Sequence, residues 1–258
     1  MALSTLDAEP PALDGAAAAG PFARPAPRGD RRSPAGTDLR ALAPTAPVLG
    51  VAEAVQAVRA GGRSVLTFGG FGELGYDDEA RVLDRCRAEL DRHDPARTLV
   101  ATGTLVTEGF RTGIAMVYVL AWARGFATVG IHPSVALHHP KRHTIAAGVD
   151  RVLFVDDPTW GGTDEAGRPS NTLRVLLAVS DAFIVFGGGH HTAQELRAFL
   201  AAGKAVRFHD APMHRATTER WCRASGVRIA DYRGAAYHVW RRARAEAGSV
   251  PAAGRRRG

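Results

Sequence analysis

At 258 residues and 45% hydrophobic content, the chain can bury the core of one domain and is too apolar to be disordered throughout. Its formal net charge of +7 sits mainly at the ends, in Arg24, Arg28, Arg31, Arg32 and Arg40 and again in Arg241, Arg242, Arg244, Arg255, Arg256 and Arg257. The stretch 48–240 is close to neutral, so nucleic acid is not an expected partner; two distant cysteines, Cys86 and Cys222, exclude a disulfide framework or a zinc cluster.

Residues 1–47 are rich in Ala, Pro, Gly and Arg, a composition that buries too little surface to offset ordering entropy, and a disordered leader is expected there. Early acids (Asp7, Glu9, Asp14) and the lack of a long apolar segment argue against a secretory signal, and no apolar run reaches membrane-spanning length. A cytoplasmic location without membrane contact is the expectation. Residues 246–258 read as a basic disordered tail, and 48–245 as one nucleotide-binding domain.

Along that domain, 48–60 has an amphipathic helical pattern (Val51, Ala54, Val55, Val58) ending at Gly61 and Gly62. The apolar run 64–68 then enters Gly69 and Gly70 as a buried strand does. A helix is predicted over 77–92, a strand over 98–102, a helix over 109–124, and strands over 127–131 and 151–155. A helix over 171–179, a strand over 182–186, a helix over 192–202, a strand over 205–208 and helices over 215–225 and 232–245 complete the chain. Strands alternate with helices and read as apolar runs buried on both faces. That pattern predicts a doubly wound, mostly parallel Rossmann-like α/β sheet with helices on both sides.

In such a sheet a ligand lies outside the carboxyl ends of the strands, near the switch in strand order. Gly69, Gly70 and Gly72, then Gly103, then His132, Pro133 and Ser134, and the run 187–192 all fall at such ends. Two glycine motifs compete there. The run GFGELG at 70–75 has the G-x-G-x-x-G spacing of a dinucleotide site, but its helix starts late, and the second strand ends without an acid to hold a ribose hydroxyl. The run FGGGHHTAQE at 186–195 passes from a buried strand into a helix. Its amides, with the Thr192 hydroxyl, would face a phosphate at the positive helix end, and Glu195 one turn on would reach the sugar attached to it.

This second motif resembles the P-G-G-x-G-T-x-x-E signature of the superfamily that holds the Lonely Guy phosphoribohydrolases, also labelled lysine-decarboxylase-like, and the molybdenum-cofactor carrier proteins. Gly188, Gly189, Thr192 and Glu195 fit it; Gly187 stands for its proline and His191 for its later glycine. The lead-in SDAFI at 180–184 and the run GFRTGIA at 109–115 are similar to other parts of the family pattern, and the resemblance spans about 64–208. It implies that Gly188, Gly189, His190, His191 and Thr192 hold a phosphate, and that Glu195 assists loss of a base from a nucleoside 5′-monophosphate or related phosphoribosyl compound. Arg174, with Asn171 and Arg168, would replace a basic pair on the preceding helix. Gly69, Gly70, Ser134, Glu108 and Arg111 are candidate ligand contacts. A homodimer is implied as well, for which the apolar face of the last helix (Tyr237, Trp240) offers a surface.

A non-catalytic carrier or sensor of a nucleotide is the alternative, and an oxidoreductase a third. No cofactor is expected. His138, His139 and His143 lack a carboxylate at ligand spacing, and no metal is expected. Trp160, beside Gly161 and Gly162, is a candidate for stacking on a base. Asp181 reads as a structural corner residue.

Overall fold

The computed structural model describes residues 38–107, 112–139 and 143–249. Seven strands form one parallel sheet: β1 (Val48–Leu49), β2 (Ser64–Gly70), β3 (Thr98–Thr102), β5 (Ala127–Pro133), β7 (Arg151–Val155), β8 (Ala182–Phe186) and β9 (Ala205–His209). Their order is β1-β7-β5-β3-β2-β8-β9, and every pairing is parallel. Two short strands, β4 (Val106–Thr107) and β6 (His143–Thr144), pair antiparallel beside it. The fold is Rossmann-like α/β.

Alternation along the strands sends side chains to two layers. Val65, Leu99, Ala101, Phe183 and Val185 face helices α2 (Val51–Arg59), α5 (Asn171–Val179), α6 (His190–Ala201) and α8 (Ala235–Ser249). Leu66, Val100, Ile184 and Phe186 face α3 (Glu79–Leu90) and α4 (Met116–Ala123). Helix α7 (Arg215–Ser225) follows β9 and ends on Gly226 in the left-handed region, a common way for a helix to stop. Among the described residues no helix is long and apolar enough to cross a membrane.

Several elements differ from the sequence expectation. Val48 and Leu49 are an edge strand paired to Phe154 and Val155 rather than the first turn of α2; Gly50 caps that helix instead. The expected leader carries a short helix, α1 (Leu39–Leu42), whose Leu39 is buried in a core cluster with Tyr118, Leu137 and Phe154. The helix expected over 109–124 opens as a 3-10 turn at Gly113–Ala115, and 108–111 lie outside the described residues. Tyr237 and Trp240, expected to face a partner, pack within the chain: Trp240 stacks on Phe208 with centroids 5.6 Å apart. Asp181 behaves as expected, accepting from both guanidinium ends of Arg59 and from the Val65 amide at the start of β2.

One polar cluster lies inside the α3 layer. Glu89 is 2% exposed and accepts from Arg207 Nε and contacts His209 Nε2, both at 2.8 Å. The His209 ring stacks on Phe186, and its carbonyl accepts from the Gly187 amide. Arg92 donates to the same carboxylate at 3.5 Å, so removing the carboxylate leaves three groups short of a partner, only partly rescued by solvent. Glu89→Ala should therefore lower the unfolding free energy by about 2 kcal/mol, read as a lower urea midpoint.

Candidate functional site

Strand β2 is the point where the sheet reverses: the chain moves outward to β3 on one side and later returns to place β8 on the other. The loops leaving β2 and β8 therefore diverge, and a crevice opens between them. A cavity of about 200 Å³ occupies it, lined by Gly69 and Gly70 from β2, Thr102 and Gly103 from β3, and Thr192 and Glu195 from α6. Trp160 and His191 complete its rim.

Backbone geometry explains the glycines. Gly187 has φ +55° and Gly188 φ +121°, both unfavourable for side chains, and a Cβ on Gly187 would overlap the Ala211 carbonyl. A Cβ on Gly188 would lie 2.6 Å from Thr192. A proline, which the family signature has at position 187, is incompatible with that φ. The turn is held from beneath by Tyr76, a buried residue that sequence reasoning missed. Its hydroxyl accepts from the Phe71 amide at 3.1 Å and donates to the Phe186 carbonyl at 3.2 Å, joining the exits of β2 and β8. Burial pushes its pKa well above that of an ordinary phenol, so it stays a donor. A tyrosine in a loop carries no sequence signal of this role.

Helix α6 starts at His190 with Gly189 as its cap, so its first amides have no acceptor within the helix, and His191 and Thr192 of that first turn line the cavity. Thr192 is buried, and its hydroxyl donates to the Gly70 carbonyl at 3.0 Å. This corrects the expectation that the hydroxyl faces a phosphate; its proton is committed to the β2 turn, and only its amide remains for an anion. His190 is exposed and its Nε2 accepts from the Gln194 amide at 3.1 Å. His191 sits on the rim, where desolvation and the neighbouring His190 hold its pKa below the usual histidine value.

Glu195 lies one turn after Thr192 on the same face of α6. Among the described residues its carboxyl has no hydrogen-bond or ion-pair partner, and no arginine or lysine lines the cavity. Burial alone raises its pKa from 4.5 to about 7. A carboxyl poised to gain or lose a proton near neutrality, in a crevice, is the kind of group catalysis uses.

The structure does not bring every expected residue here. Arg174 is exposed on the outer side of α5, donating to Asn171 Oδ1 at 3.1 Å, while Asn171 donates to the Asp156 carbonyl. Arg168 pairs with Asp164 at the surface. The periodicity that placed these residues on a helix says nothing about which side of that helix meets the ligand. Ser134 is also elsewhere: its hydroxyl donates to the Asp157 carbonyl and accepts the Asp157 amide, bracing two loops. Glu108 and Arg111 lie outside the described residues. No group of three His, Cys, Asp or Glu side chains with metal-binding arrangement occurs among the described residues.

Gln194, unremarked in the sequence, fastens the Gly161–Gly162 loop to α6. Its carbonyl oxygen accepts from the Thr163 amide at 3.3 Å, and its amide contacts the Thr163 carbonyl at 3.4 Å. At the loop's start Asp157 accepts from the Thr159 amide and hydroxyl and from the Thr172 amide. Although burial works the other way, these hydrogen bonds hold the Asp157 carboxyl below its ordinary pKa. Trp160 is thereby carried over the crevice on a loop pinned at both ends.

No protein-family model matches the chain, and no curated protein matches it. Among solved structures it is similar to the Moco carrier protein from Chlamydomonas reinhardtii, at 18% identity over 69% of this chain and 96% of that one, with a TM-score of 0.39. It is also similar to TM1055, a structural-genomics target, at 19% identity over 55% of this chain and 72% of that one, with a TM-score of 0.36.

Proposed function

We propose that the chain binds a nucleoside 5′-monophosphate or related phosphoribosyl compound and hydrolyses its N-glycosidic bond. The observation that carries this reading is Glu195: a partnerless carboxyl in the same cavity as a glycine-built helix start. The amides of His190, His191 and Thr192 would take the phosphate, and the positive end of α6 would favour its charge. Glycosidic cleavage passes through an oxocarbenium-like sugar. In its ionised form Glu195 would stabilise that charge or orient the attacking water; in its protonated form it would deliver a proton toward the leaving base.

A carrier or sensor without turnover is the second reading, favoured by one observation: no cationic side chain lines the cavity among the described residues to steady the phosphate during reaction. The pure protein, incubated with a panel of nucleoside monophosphates, separates the two by mass spectrometry. Free base and ribose 5-phosphate should appear from one member. The rate should fall on the order of 1,000-fold or more in Glu195→Ala and stay within about twofold in Arg174→Ala, which faces away. Nucleotide-dependent thermal stabilisation without any release would replace the hydrolase reading by the carrier. The homodimer implied by the resemblance is a separate proposal, tested by the solution mass of the same sample.

A further inference from the structure

The crevice does not end at its phosphate-sized inner cavity. A second chamber of about 340 Å³ adjoins it, and the two share Gly72, Gly103 and Trp160 as common wall. We propose that this outer chamber is a subsite for a planar heteroaromatic ring, with Trp160 as the stacking surface. The proposal rests on the reading of the inner cavity given above, and it adds residues which that reading does not use.

Trp160 is 39% exposed. Its ring is nevertheless held in place from several directions. His139 meets it at right angles, with centroids 4.7 Å apart and planes at 88°, and His143 lies against it at 5.4 Å and 59°. The two imidazoles contact each other, His143 Nε2 lying 3.1 Å from His139 Nδ1. The loop beneath is pinned by Asp157 and Gln194, as described. A large aromatic surface left in contact with water loses hydrophobic stabilisation, and fixing it removes rotamer freedom as well. Both costs are recovered when a flat ligand covers the exposed face of a surface already in position.

The rest of the lining suits a ring. Gly72, Gly103, Leu105 and Pro133 line the chamber with Trp160 and offer main chain and compact apolar surface against which a flat group can lie. Glu73, His139 and His143 line it too, side chains of the kind that hydrogen-bond to ring nitrogens and exocyclic amines, which a hydrocarbon could not use. Flat surface together with polar groups defines a heteroaromatic ring. The neighbouring cavity with its helix start adds a phosphate at one end of the same ligand.

Calorimetric titration of adenosine and guanosine 5′-monophosphate and of ribose 5-phosphate into the whole chain tests this. Glu195→Gln is used as background so that no ligand is consumed. The nucleotides should bind on the order of tenfold or more tightly than ribose 5-phosphate. That advantage, taken as the ratio of the two affinities in each variant, should disappear in Trp160→Ala and survive largely in Trp160→Phe. Equal affinities for nucleotide and ribose 5-phosphate, or an advantage that survives Trp160→Ala, would overturn the subsite and leave the phosphate reading standing. Failure of ribose 5-phosphate to bind would overturn the phosphate reading instead. In that case adenosine and guanosine decide the subsite alone: quenching of tryptophan fluorescence that is lost in Trp160→Phe supports it, and no such quenching sinks it.

Discussion

Glu195→Gln should leave the chain folded and make it more stable than the parent at alkaline pH, even as it removes turnover. In the unfolded chain this carboxyl ionises near 4.5; in the folded chain burial holds the proton until about pH 7. Between those values the folded state binds more protons, so the contribution of this group to stability falls as pH rises. Below pH 4 both states are protonated and glutamine should change little. Above pH 7.5 both are ionised, and the parent carries an unpaired charge in the crevice at a cost of about 3 kcal/mol. The difference between variant and parent in urea denaturation should therefore grow from near zero at pH 4 to about 3 kcal/mol at pH 8. A difference independent of pH would mean that Glu195 is solvated or paired, and would remove the physical basis of its proposed role. A carboxyl kept at such a cost is what a functional site shows more often than a structural one.

The second large effect is expected at Gly187. Alanine there meets two penalties at once: a left-handed backbone worth about 1 kcal/mol and overlap of its Cβ with the Ala211 carbonyl, a main-chain group that cannot swing aside. Together these should lower the unfolding free energy by about 3 kcal/mol or more. Proline adds the loss of the amide that donates to the His209 carbonyl, and its ring fixes φ on the wrong side, so Gly187→Pro should fail to give a cooperative unfolding transition at all. Gly189→Ala is the control. Its φ is −83° and nothing lies within 4 Å of the added carbon, so the cost should stay near the ~1 kcal/mol of a weakened cap. If all three variants unfolded alike, the turn would owe its shape to something other than these contacts.

Apolar runs and glycine breaks were sufficient to find the parallel sheet and its helices, because a strand buried on both faces has to be apolar throughout. The run 182–186 and the helix 171–179 have the limits that the sequence predicts. The same periodicity misread Val48 and Leu49, since two residues are too few to show a period and their partner, β7, lies a hundred residues away. Leu39 was lost in an Ala- and Pro-rich stretch for the same reason: the cluster that buries it, with Tyr118 and Phe154, comes from segments far along the chain. At the site, Gly187, Gly188 and Glu195 were legible because a strand, a glycine turn and a helix follow one another along the chain. Local sequence thus determined the sheet, its helices and one wall of the crevice. Which groups share that crevice was decided only in three dimensions. Packing turned Arg174 and Ser134 away, committed the Thr192 hydroxyl to Gly70, brought Tyr76 and Trp160 in from distant loops, and tied the Trp160 loop to Gln194 of α6. The hydrogen bonds and contacts that select among side chains at such a place are made between segments far apart in sequence, and no pattern within either segment records them.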